Sequence, residues 1–358
     1  MTLTSNQARK SQTFILRLLL ACTYGLSPAL LMANDSPGDP LTSRYIALAI
    51  QGDLPSAHAA LLEPGDLNSS SVQGLLQQYE ERFIDNDHSV SPPTGNSFAD
   101  DVVQAYRVYW TENLLRPGNE SEREVELRAA ISRVMTEAGA PPGASETLDA
   151  MGERLSHAGL FYLESPSPPF RDFYLWQSQT SKNYVVRLTD QTLSLEVVFM
   201  DDFVSLGWKE YASLGLATTT GWVENNRLYC VAWAYDRDSE NFRVSYLKHE
   251  ARHLADLKRY PDMDTTELEY RAKLTELAFA HTSLPRMLDD FTNKAADNPA
   301  SPHAMANHRI VNDLHDMLFG RPFAGNADAW RAASTRQVNQ AARSLLIDNT
   351  KYHSGADR

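Results

Sequence analysis

From about residue 41 to residue 157 the apolar positions recur at intervals of three and four, broken by clusters of Pro, Gly and Asn. That periodicity predicts helices over 42–51, 55–62, 71–83, 98–115, 121–138 and 146–157. Ser121 followed three residues later by Glu124 has the spacing of a capping box and predicts the start of the fifth helix. The stretch 86–96, with Pro92, Pro93 and Gly95, reads as a polar loop. No fixed period recurs, so a repeat solenoid is not expected.

The pattern changes near Phe161. Segments 183–188 and 193–199 are rich in β-branched and aromatic residues and are joined by Thr189 to Thr192, which predicts a hairpin. A second hairpin is predicted from 219–224 and 228–234, turning through Asn225, Asn226 and Arg227. Segment 207–211, between the hairpins, fits either class. Helical spacing then returns over 245–259 and 266–280, separated by Pro261, which cannot continue the first helix. Three further helices are expected between 285 and 348. The order is helices, a small antiparallel sheet at 159–235, then helices, which is an α+β arrangement: a helical N-terminal region at 34–158 and a second region at 159–358.

Composition narrows the picture. Of 358 residues, 42% are hydrophobic and 22% charged, which excludes disorder as the dominant state. Lys and Arg total 33 against 46 Asp and Glu, and no basic run is longer than the pair Lys258-Arg259, so nucleic-acid binding is not expected. Two cysteines, Cys22 and Cys230, support neither a disulfide framework nor an all-cysteine metal site. Cys230 lies in an apolar strand and reads as a buried, inert thiol.

The N-terminus bears on compartment. Residues 1–17 carry Arg9, Lys10 and Arg17 and no acid, and 18–33 is an uncharged run with the form of a secretory signal. It is too short to span a bilayer, and no later stretch reaches the roughly 18 apolar residues that spanning requires. Cleavage after Ala33 is expected, giving a secreted or periplasmic protein. Leu19-Leu20-Ala21-Cys22 also fits a loose lipobox, and the alternative is a lipid anchor at Cys22.

His249-Glu250-Ala251-Arg252-His253 carries the chemistry. On a helix, histidines four apart share a face, so both imidazoles reach one divalent ion. Glu250 is rotated by about 100° and is free to act on a metal-bound water. Catalytic zinc usually takes three protein donors. After His253 the chain holds three Glu residues, Glu267, Glu269 and Glu276, all on the next predicted helix. Glu267 and Glu269 lie about 200° apart around it, whereas Glu269 and Glu276 share a face about 10 Å apart along the axis.

The motif followed by Glu269-Tyr270-Arg271-Ala272 resembles the gluzincin branch of zinc metallopeptidases, over about 30 residues and in the order of sheet before motif helix. The resemblance implies a zincin-like region at 159–358, a zinc ion held by His249, His253 and Glu269, and Glu250 as general base in the hydrolysis of peptide bonds. It also implies that an edge strand, here 219–224, binds the substrate backbone. One departure is clear: many gluzincins carry an Asp four residues after the ligand Glu to orient the first His, and Lys273 stands there. Asp256 or Glu276 is then the expected orienting acid. His308 and Tyr270 are candidate donors to the oxyanion.

Blander readings compete at each point. The motif histidines also fit a metal-free helix, and Glu269 a solvated carboxylate beside Lys273. His303, His308 and His315 are spaced poorly for a second metal and read as surface or cap histidines, and the six tryptophans as core anchors. The expected function is a secreted or periplasmic zinc peptidase acting on a peptide or protein substrate, with amides of peptidoglycan peptides as a variant. The alternative is a non-catalytic exported binding or scaffold protein.

Overall fold

The computed structural model describes residues 40–63, 69–140, 148–299, 301–325 and 327–355. The expected signal at 1–33, the lipobox at Cys22 and the first two residues of the helix expected at 146–157 lie outside them. Six helices come first: α1 (Pro40–Ala49), α2 (Leu54–Leu61), α3 (Ser70–Tyr79, continued by a π-helical turn at Glu80–Ile84), α4 (Ser97–Leu115), α5 (Glu120–Glu137) and α6 (Leu148–His157). The periodicity located each of them. The cap of α5 differs from expectation: Asn119 is the N-cap, Ser121 lies inside the first turn, and no side chain caps the helix. A capping box forms instead at Ser334 and Gln337, ahead of the last helix.

A five-stranded sheet follows, in the order β1 (Phe161–Ser167), β2 (Phe170–Arg187), β3 (Thr192–Leu206), β5 (Arg227–Val231) and β4 (Gly221–Glu224). Three of its four pairings are antiparallel, but β3 and β5 run parallel, so the sheet is mixed rather than antiparallel. The ambiguous segment is the cause. It forms a short helix, α7 (Gly207–Ala212), which carries the chain off the end of β3, so that the β4–β5 hairpin docks with its second strand inward. Asn225 and Asn226, both with positive φ, turn that hairpin. β5 ends at Val231, and Ala232–Ala234 is a 3-10 turn rather than more strand.

The change of class near residue 160 is not a break in the packing. Tyr45, Tyr106, Trp110 and Met151 of the helices share one buried core with Phe173 and Leu175 of β2 and with Trp208 and Tyr211 of α7. Tyr106 stacks on Phe173 at 4.5 Å, and the Trp110 indole donates to the Arg171 carbonyl at 2.9 Å. On β3, Val197 and Phe199 face one core, with Tyr246 and Ala251, while Val198 and Met200 face another, with Trp222.

The C-terminal part is helical: α8 (His249–Arg259, entered through a π-helical segment at Phe242–Lys248), α9 (Thr265–Phe279), α10 (Leu284–Asn293), α11 (Pro302–Phe319) and α12 (Thr335–Ser354). Among the described residues no helix is long and apolar enough to cross a membrane. α8 and α9 fold back on each other around Tyr260, and α9 also packs on α11 and α12. What joins them is ionic. Asp256 accepts from the Arg271 guanidinium at 2.7 and 3.0 Å and from Arg252 at 3.2 Å, and all three side chains are 1–2% exposed. Arg252 reaches on to Asp190 in the β2–β3 turn, and Arg271 to Asn349 on α12.

A buried carboxylate that serves two buried guanidiniums leaves both uncompensated when it is removed. Asp256→Ala is therefore expected to cost about 3–5 kcal/mol in urea unfolding at neutral pH. A loss below about 1 kcal/mol, the usual worth of an exposed pair, would contradict this placement.

Candidate metal centre

α8 and α9 run in opposite directions along their contact, so the start of one meets the end of the other. His249, the first residue of α8, meets Glu276 near the end of α9: the two approach to 2.7 Å, Nδ1 to Oε1. One turn on, His253 Nε2 lies 3.3 Å from Glu269 Oε1, while His249 Nε2 is 3.7 Å from Glu269 Oε2. The two Nε2 atoms are 2.9 Å apart. His249, His253 and Glu269 thus offer ligand atoms that all lie within 4.8 Å of one another, and all three side chains are buried. Donors around a tetrahedral zinc at about 2.0–2.1 Å stand about 3.3 Å from each other, a value that these separations bracket.

The donor chemistry also fits a cation. With Nδ1 of His249 donating to Glu276, its Nε2 turns a lone pair into the cluster, the arrangement by which an outer carboxylate prepares a metal-binding imidazole. Of the two acids considered for this role, Glu276 takes it, while Asp256 is committed to the arginines. Burial disfavours the charged form of His249, but Glu276, Glu269 and Glu250 outweigh it and raise its pKa to about 9. Burial would likewise raise Glu269, yet His303 and His253 hold it well below the usual carboxylate range.

Glu250 is fully buried. It acts electrostatically on both His249 and Cys230 of β5. The Cys230 thiol is free, fully buried and pushed up to about 12, chiefly by burial.

Of the two residues expected to face the oxyanion, neither comes to the cluster. The Tyr270 hydroxyl donates to Asp313 at 2.8 Å under the Arg309 guanidinium, and His308 contacts Asn312 one turn along α11. His315 is neither a surface nor a cap residue: it is buried among Phe319, Phe323 and Trp330, with its Nδ1 2.7 Å from the Arg321 carbonyl. The surprise is His303, in the first turn of α11, whose Nδ1 lies 2.9 Å from Glu269 Oε2. Its spacing to the other histidines gave no hint of this, because its partner is on α9. The only local signal is Ser301-Pro302, which fixes the start of α11.

The cluster borders a cleft of about 530 Å³, reached at His249, Glu276 and His303. Glu250, His253 and Glu269 stand behind that wall, each no more than 1% exposed. The strand expected to hold substrate is β4, at the edge of the sheet, and Thr218 and Thr220, just ahead of it, line the cleft. Compared with protein-family models, with curated proteins and with solved structures, the chain matches none.

A histidine whose folded pKa stands near 9, above its unfolded value, lends stability that is complete below about pH 6.5 and is lost as the pH rises through 9. Chelator-treated protein is therefore expected to melt at falling temperature between those limits. Glu276→Gln should flatten that slope in the same calorimetric series, and an unchanged slope would mean that Glu276 does not set the His249 charge.

Proposed function

We propose that the chain is a zinc-dependent peptidase whose metal is held by His249, His253 and Glu269. The observation that carries this reading is the convergence of two imidazole nitrogens and a carboxylate at 2.9–3.7 Å beside a cleft. The resemblance of the motif to gluzincins supports it from the sequence side. Zinc bound there supplies Lewis acidity and a water acidified to a pKa of about 7.

The remaining work falls to side chains. Glu250 accepts the proton of the attacking water on its carboxylate and returns it to the leaving amide nitrogen. Glu276 keeps the proton on Nδ1 of His249, so that Nε2 stays a donor of electrons. His303 borders both Glu269 and the cleft, which supports it as the hydrogen-bond donor to the developing oxyanion. The uncharged run behind Arg9, Lys10 and Arg17 supports export, to the periplasm or out of the cell, as part of the same reading.

A metal-binding scaffold without turnover is the competing reading, and the complete burial of Glu250 favours it. Metal analysis and peptide hydrolysis separate the two. The peptidase reading expects a single zinc per chain, lost in His249→Ala and in Glu269→Ala, and bound about 10–100-fold more weakly in Glu276→Ala. Glu250→Gln should keep its zinc and lose about 10²–10⁴ in kcat/KM. Full zinc occupancy with no cleavage of any peptide in a degenerate library would leave the scaffold, and no zinc binding at all would end both readings.

A further inference from the structure

The cleft is opposite in sign to the protein that surrounds it. The chain carries 46 acids against 33 Lys and Arg, yet among the described residues the cleft is lined by Lys209, Lys273, Arg286 and Lys294 and by only two acids, Glu276 and Asp290. Both acids are engaged: Glu276 with His249 at 2.7 Å, Asp290 with Lys294 at 3.7 Å. That leaves Lys209, Lys273 and Arg286, which form no ion pair or hydrogen bond among the described residues. The two lysines lie over rings. The Lys273 ammonium sits 4.6 Å from the centre of Phe291, and that of Lys209 5.5 Å from Trp208.

Three cations from three different elements, α7, α9 and α10, converge on one concavity; Asp172 pulls on Lys209 without forming an ion pair, and Lys273 pairs with neither Glu269 nor Glu276 among the described residues. A cleft with low-dielectric walls focuses such a field onto whatever enters it. Burial already presses on Lys209, lowering its pKa against the pull of Asp172, so an incoming anion would relieve a cost that the folded chain bears. Lys273 stands one turn from Glu269 and from Glu276 on α9, beside the cluster. Arg286 is on a firmly seated helix: the Glu240 carboxylate accepts the backbone N–H groups of His281, Thr282 and Ser283 at 2.6, 3.1 and 3.2 Å, just ahead of α10. Ile46, Ile50 and Met287 line the same space and offer apolar surface beside the charges.

Resting on the peptidase reading, we infer that the cleft selects peptides bearing a carboxylate next to the bond that is presented to the cluster, with Lys273 and Arg286 as the residues that recognise it. Two sources share that chemistry, an Asp or Glu side chain and a free peptide C-terminus. The attraction is between charges, so the selectivity should weaken as salt is added.

The test uses full-length Glu250→Gln protein loaded with zinc, so that binding is read without turnover. Fluorescent, N-acetylated peptides of one apolar frame differ at a single position: Glu with a C-terminal amide, Gln with a free C-terminus, Gln with an amide, and Lys with an amide. Fluorescence anisotropy should give at least one carboxylate peptide an advantage of about tenfold or more over the neutral one at low salt, shrinking as NaCl is added. Whichever of the two gains the advantage identifies the source. Adding Lys273→Gln and Arg286→Gln should bring that peptide within about twofold of the neutral one and leave the neutral peptide's Kd unchanged, while Lys273→Arg keeps the preference.

Equal binding of all four peptides, tighter binding of the lysine peptide, absence of binding, or a preference that survives the double substitution in a variant with an unaltered thermal melt would each overturn the inference. Its failure is separable from that of the peptidase reading. A preference in binding without hydrolysis by the wild-type protein leaves the selectivity standing and removes the activity. Hydrolysis at equal kcat/KM for neutral and acidic peptides does the reverse.

Discussion

The structure around the site depends on placing charge inside the protein and never leaving it alone. α8 presents His249, Glu250, Arg252, His253 and Asp256 to its neighbours, and all five are buried. A helix with so many polar groups in the interior survives only if each is met by an opposite charge or a hydrogen bond. α9 supplies the answer with Glu269, Arg271 and Glu276. The pairing fixes the register of the two helices, because sliding one by a turn would part His249 from Glu276 and Asp256 from Arg271. The separations within the histidine cluster follow from that register rather than from the motif alone.

The two ends of the α8–α9 contact carry different burdens. At the Asp256 end the charges are satisfied internally, through Arg252 to the hairpin turn and through Arg271 to α12. Each of the three charged side chains there has an opposite charge as its partner. At the His249 end the carboxylates are in excess: Glu250, Glu269 and Glu276 stand around two imidazoles. His303 from α11 relieves part of that excess, and His249 takes up a proton to relieve more. A divalent cation would do the same with two charges instead of one, and this is the physical reason to read the cluster as a metal site.

The sequence was legible where burial is one-sided and opaque where it is not. Helices such as α4, with Phe98, Val102, Tyr106 and Trp110 on one face, announce themselves by spacing. β1 and the first half of β2 were not foreseen. In β2, Phe173 and Leu175 face the N-terminal core while Tyr174 and Trp176 face the other side of the sheet, so the alternation that marks a strand is erased. The parallel β3–β5 pairing was invisible for another reason: it is set by the excursion through α7, not by either strand. Ser121 had the spacing of a cap but sits one residue inside a helix that begins at Glu120. Within the cluster, helical geometry brings His249 and His253 to one face from sequence alone, whereas His303 depends on how α11 lies across α9, which no local pattern encodes.

Lys273 ties the two halves of the site together. In the resembling family an acid at this position orients the first histidine, and a lysine there looks like the loss of a working part. In this chain the acid is found three residues further along, at Glu276, where the antiparallel helices bring it within 2.7 Å of His249. Position 273 is then released from any duty toward the cluster. It remains on the face that borders the cleft, one turn from Glu269, and its charge meets Phe291 rather than a carboxylate. An ammonium held there against an aromatic face gains about 0.5–2 kcal/mol from the ring, less than a well-placed carboxylate would give it once water is excluded. A cation so placed is better explained by what enters the cleft than by what holds the fold together.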